Sequence, residues 1–94
     1  MIKSFCDAEA AKIFRREASR KLPPDIQQRG FQKLNALAAA IRLEDLRLPP
    51  SNRLEPLKGN REGKWSIRIN DQWRLCFRWE VEGALDVEIV DYHK

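Results

Sequence analysis

The spacing of apolar residues changes once along this chain, near residue 50, and no single class of secondary structure accommodates both halves. Before the break, Ile26, Gly30, Leu34, Leu37, Ala38 and Ile41 recur at three- and four-residue steps, the spacing of one helix face. After it the period is two. Trp65, Ile67 and Ile69 share one side of an extended strand, as do Trp73, Leu75, Phe77 and Trp79, and as do Leu85, Val87 and Ile89. Helices followed by a meander define an α+β fold in which the helices cover the apolar face of an antiparallel sheet. A chain of 94 residues suits a single domain, 1–94, with one core.

The element boundaries follow from local chemistry. Ile2 to Phe5 reads as a short opening strand, and Asp7 is an N-cap for a helix carrying Ala10, Ile13 and Phe14. Pro23-Pro24 is expected to end that helix, and a second helix to run from about Asp25 to Arg42 or a turn beyond. Pro49-Pro50-Ser51-Asn52 breaks the chain before the sheet. Apolar side chains face one another across each strand pair only if the tight loops hold an odd number of residues. Asn70-Asp71-Gln72 and Val81-Glu82-Gly83 are therefore the expected turns. This register sets Arg68 opposite Arg74, Lys64 opposite Arg78 and Gln72 opposite Tyr92, on the face away from the core. Like charges directly opposite are destabilising, and a polyanion on that face would relieve them.

Composition narrows the partners. The net charge is +4, and residues 53–78 hold Arg53, Lys58, Arg61, Lys64, Arg68, Arg74 and Arg78 against Glu55, Glu62 and Asp71. Residues 80–91 then carry Glu80, Glu82, Asp86, Glu88 and Asp91 with no cation. Such a division fits either a polyanion partner or ordinary solubility. Lys12, Arg16 and Arg20, at four-residue steps with Arg15 beside them, form an expected helical stripe. The stripe suits either a solvated face or a footprint on ribosomal RNA. Cys6 and Cys76 are too few and too far apart for a disulfide framework or zinc pair, so both are expected reduced and packed. No apolar run approaches a membrane span or a signal peptide, and a cytoplasmic protein is expected. The only Tyr and the only His fall in the closing run Val90-Asp91-Tyr92-His93-Lys94, beside the predicted cationic face.

With Leu54-Glu55-Pro56-Leu57-Lys58-Gly59, Trp65-Ser66-Ile67, Trp73-Arg74-Leu75 and Asp91-Tyr92-His93 in this order and spacing, the chain resembles the HigB branch of the RelE and ParE toxin superfamily over nearly its whole length. The resemblance implies the toxin of a type II toxin–antitoxin pair. Such a toxin cuts messenger RNA in the ribosomal decoding site, needs no metal or cofactor, and is silenced by a co-encoded helix-turn-helix antitoxin. Cleavage through a 2'-hydroxyl requires a base, cations for the pentavalent phosphate and an acid for the departing 5'-oxygen. Arg74 and Lys58 suit the phosphate, Tyr92 and His93 the acid, and Asp91 belongs to the same closing motif. Lys12, Arg15, Arg16, Arg20, Arg68 and Arg78 are candidate RNA contacts. One position departs from the family pattern: relatives carry His immediately before Pro-Leu-Lys-Gly, and this chain has Glu55. Glu55 is either the base, or an orienting group, or a surface carboxylate. Two other readings stay open, a ParE-like inhibitor of DNA gyrase without chemistry and a catalytically impaired module that binds RNA or antitoxin.

Overall fold

The computed structural model describes residues 1–92, the side chain of Arg61 excepted. Candidate His93 and Lys94 lie outside the described residues. Two helices, α1 (Ala8–Phe14) and α2 (Pro24–Ala39), precede four strands, β1 (Glu55–Pro56), β2 (Lys64–Arg68), β3 (Trp73–Glu80) and β4 (Gly83–Asp91). The strands form one antiparallel sheet in the order β1-β2-β3-β4. The α+β architecture is the one expected, with one strand more than the alternation had indicated. β1 is two residues long and contains a proline, so it shows no periodicity to read.

Asp7 caps α1 as expected, accepting from the backbone N–H of Glu9 at 2.9 Å, while its second carboxylate oxygen accepts from Ile89 of β4 at 3.2 Å. The helix stops well before Pro23-Pro24. Arg16 turns left-handed (φ 64°), Arg16 N–H donates to the carbonyl of Ile13 and Glu17 N–H to that of Lys12, which satisfies the last carbonyls of the helix. This corrects the predicted stripe, since Arg16 and Arg20 lie beyond the helix that carries Lys12. In the connecting loop the hydroxyl of buried Ser19 donates to Glu9 at 2.5 Å and accepts from the N–H groups of Lys21 and Leu22. That hydroxyl holds the Glu9 carboxyl below the usual carboxylate range.

Pro24 is the first residue of α2, where its missing N–H is no loss, and the helix buries Ile26, Gly30, Leu34 and Leu37. It ends at Ala39, earlier than expected. Ile41 is consequently 84% exposed rather than on the core face.

The predicted β2–β3 register is observed: Lys64 opposite Arg78, Ile67 opposite Leu75, Arg68 opposite Arg74. The three-residue turn is fastened by Asn70, whose side-chain oxygen accepts from the N–H groups of Gln72 and Trp73. The second turn differs. Glu80 pairs with Gly83, leaving a two-residue loop, and the odd residue appears instead as a bulge at Asp86, which is left-handed (φ 53°). Ala84 (0% exposed) therefore points into the core in place of Leu85, which is half-buried. Beyond the bulge Leu75 pairs with Ile89 and Trp73 with Asp91, as the alternation requires.

The opening segment makes two parallel bridges to β4, Ile2 with Ala84 and Phe5 with Val87, rather than a full strand. Gly83 has φ 135°, and a Cβ there would stand 2.1 Å from the carbonyl oxygen of Met1. The N–H of Ala84 donates to that same oxygen at 2.9 Å.

The core lies between helices and sheet. Ile67, Leu75, Phe77 and Val87 of the sheet, Leu34 and Leu37 of α2 and Ala10 of α1 are all fully buried. Phe77 also meets Trp79 edge to face, with ring centroids 6.4 Å apart. Phe77→Ala is expected to lower the unfolding free energy by about 3 to 5 kcal/mol in chemical denaturation. Unchanged stability would mean that the core lies on the opposite face.

Candidate active site

The sheet face turned away from the helices carries the cations, and each is met by a carboxylate. Lys64 reaches Glu88 at 3.2 Å, Arg78 reaches Asp86 at 3.9 Å, Arg68 pairs with Asp71, and Arg74 lies 3.4 Å from Glu55. The acidic last strand thus compensates the basic strands beside it through Glu88 and Asp86. These pairs relieve the like-charge oppositions without a polyanion. Beneath them Ser66 and Cys76 are fully buried.

Arg74 is the centre of the arrangement, its side chain only 12% exposed. It is not the solvated charge that a sheet face usually presents. Its Nε donates to Ser66 Oγ at 2.9 Å and its Nη2 to the carbonyl of Arg53 at 2.6 Å, while Nη1 faces Glu55. Its guanidinium carbon stands 5.8 Å from the centre of the Tyr92 ring. A guanidinium engaged at all three of its nitrogens is held in one orientation.

The partners are set by local folding. Glu55 of β1 lies opposite Ser66, the residue that receives Arg74. Tyr92 follows the last strand and donates its backbone N–H to the carbonyl of Gln72 at 2.6 Å, the predicted opposition. Gln72 in turn donates through Nε2 to Asp91 at 3.2 Å. Asp91 therefore faces the turn between β2 and β3. The Tyr92 hydroxyl lies 3.7 Å from Cys76 Sγ.

Arg53, Arg68, Asn70, Asp71, Arg74 and Tyr92 enclose a cleft of about 330 Å³. Of the catalytic candidates, the fold brings Glu55, Arg74 and Tyr92 together, with Arg68 in the cleft wall. Lys58 is exposed, immediately before the turn Gly59–Arg61, and does not line the cleft. Arg78 lies further along β3 with Asp86. Lys12 pairs with Glu9 at 3.6 Å, Arg15 with Glu17 at 2.7 Å, and Arg16 stacks 4.7 Å over the Phe31 ring, so no continuous cationic stripe forms. Cys6 is exposed rather than packed; the partial desolvation of its thiol, and then the nearby Glu88, raise its pKa.

Two residues of the arrangement had no separate signal in the sequence, Ser66 and Arg53. The loop bearing Arg53 is held by Asn52, a polar side chain just 1% exposed. Its amide nitrogen donates to the carbonyls of Leu46 and Leu48, and its oxygen accepts from Lys33 of α2. Burial, followed by the neighbouring Arg29 and Arg68 charges, depresses the Lys33 pKa. The breaker cluster that marked the boundary of the sheet is thus also the anchor of the cleft.

The fold and the site define a small α+β domain, an antiparallel sheet covered by helices on one face and carrying an arginine-centred cleft on the other. Comparison with known proteins gives the family. The chain belongs to the HigB-like toxins, described as RelE-like toxins of type II toxin–antitoxin systems, which match residues 3–93. It is 47% identical over 75 residues to Toxin HigB-1 of Vibrio cholerae serotype O1, covering 80% of this chain and 78% of that protein. It is 32% identical over 93 residues to Endoribonuclease HigB of Proteus vulgaris, covering 99% of this chain and all (100%) of that protein. Among solved structures, YafQ of E. coli strain BL21(DE3) superposes with a TM-score of 0.62 at 14% identity, covering 97% of this chain and 91% of that one. The YoeB/ParE toxin of Agrobacterium tumefaciens gives 0.53 at 21% identity, covering 99% and 98%. At these identities the structural likeness establishes the fold. Membership of a type II toxin family implies an antitoxin partner.

The anchor is testable apart from the chemistry. Asn52→Ala leaves Lys33 and two backbone carbonyls without their partner and is expected to cost about 1 to 3 kcal/mol in urea unfolding. An unaltered midpoint would show that the buried amide does not hold the loop.

Proposed function

We propose that this toxin is an endoribonuclease that cuts messenger RNA on the ribosome without a metal ion, and that the Arg74 cleft is where it does so. The observation that carries the reading is the immobilised guanidinium of Arg74, flanked by the carboxylate of Glu55 and the ring of Tyr92. Glu55 takes the proton from the 2'-hydroxyl, and the freed oxygen attacks phosphorus. Arg74 stabilises the charge on the pentavalent phosphate, and Lys58, on its exposed turn, closes onto the message from outside the cleft. The 5'-oxygen leaves with a proton from Tyr92 or His93, giving a 2',3'-cyclic phosphate and a 5'-hydroxyl. Asp91 positions Tyr92 through Gln72. Arg68 guides the message, and Arg78, Lys12, Arg15, Arg16 and Arg20 supply a diffuse attraction to ribosomal RNA.

The family of Endoribonuclease HigB and the geometry of the cleft support the same chemistry. The partner that silences it is a co-encoded helix-turn-helix antitoxin, and the compartment is the cytoplasm. Among the described residues no helix is long and apolar enough to cross a membrane.

Induced expression with sequencing of RNA 5' ends tests the reading. Cuts within translated messages support it; growth arrest with DNA damage and intact messages would instead indicate gyrase inhibition. Arg74→Ala should lower single-turnover cleavage on programmed ribosomes by about 100-fold or more. Because Arg74 is buried against Ser66, Arg74→Lys is measured beside it. The lysine variant keeps the charge but loses the fork, so it should remain folded and slow.

Glu55 separates the possible bases. Glu55→Gln should lower the single-turnover rate steeply, whereas Glu55→His should preserve or raise it. Equal rates for wild type, Gln and His variants would exclude Glu55 as the base.

A further inference from the structure

We propose that Arg53 is a binding residue for the phosphate backbone of the message, gripping a phosphodiester next to the one that Arg74 serves. The proposal rests on the ribonuclease reading of the cleft and adds a residue to it. Three arginines line the cleft, and two are already neutralised: Arg68 by Asp71 and Arg74 by Glu55. Among the described residues Arg53 enters no salt bridge, and it is exposed. Of the three arginines that line the cleft, Arg53 is the one with no carboxylate against it among the described residues. An anion entering the cleft meets the Arg53 charge without displacing a carboxylate.

The backbone at Arg53 carries the second argument. Its φ of 47° and ψ of 54° are left-handed, a conformation in which a side chain is strained and glycine is not. The carbonyl of Arg53 receives Arg74, a contact that any residue in this conformation would provide. The positioning of Arg74 therefore explains the backbone, but not the arginine side chain. A guanidinium at the cleft mouth, held by a loop anchored at Asn52, is explained by an anion that it binds.

Glycine separates the two roles, because Arg53→Gly keeps the left-handed backbone and the carbonyl for Arg74 while removing the cation. The variant is expected to fold with an unchanged denaturation midpoint. On ribosomes programmed with a short message, its half-saturating concentration should rise about tenfold, the effect of one charged hydrogen-bonding contact, with the maximal single-turnover rate within about threefold of wild type. For a fluorescent single-stranded oligoribonucleotide, the slope of log affinity against log salt should fall by about 0.7, one phosphate contact. Arg53→Lys should restore the slope and part of the affinity. Wild-type behaviour of Arg53→Gly in both assays would overturn the proposal, as would a loss in maximal rate alone, which would place Arg53 on the reacting phosphate. If wild type itself cuts no message, or Arg74→Ala cuts normally, the ribonuclease reading has failed first.

Discussion

The opposition of Ile67 to Leu75 between β2 and β3 fixes both sides of this molecule. Strand side chains alternate, so burying Ile67, Leu75 and Phe77 beneath the helices forces Arg68 and Arg74 onto the open face beside one another. Core and cleft are one decision. A slip of a single residue would put arginines into the apolar layer, at a cost no 94-residue domain could absorb. The cleft is thus held in place by the hydrophobic effect acting on the other side of the sheet.

Much of this was legible because it depends on period and on turns. The β2–β3 register, the Asn70-Asp71-Gln72 turn and the opposition of Gln72 to Tyr92 all follow from the alternation of apolar residues. The errors occur where a single backbone conformation overrides a pattern. Arg16 turns left-handed and ends α1 while a charge repeat continues past it; Asp86 does the same in β4 and exchanges Leu85 for Ala84 at the core. Neither is glycine, the residue that would have announced such a turn. Asn52 was readable as a breaker, but its buried contacts with Lys33, Leu46 and Leu48 join segments that sequence spacing does not connect.

The residues around the cleft were legible in placement more than in environment. Arg74 and Tyr92 meet as the register required, and Glu55 joins them through a strand too short to detect. What the residue order could not express is that Arg74 is nearly buried on a hydroxyl and a carbonyl. Its guanidinium is thereby fixed by the protein itself, through Ser66, the Arg53 carbonyl and Glu55.

The segment running beside β4 has a consequence for when this cleft exists. Ser4 and Asp86 are hydrogen-bonded although 82 positions apart, as are Asp7 and Ile89, and Tyr92 follows directly after that strand. Contacts between such distant positions form late, after the chain between them has been searched into place. During synthesis the early helices leave the ribosome long before Tyr92. A nascent chain that has emerged only as far as its helices thus has no cleft, because Arg74 and Tyr92 are still to come.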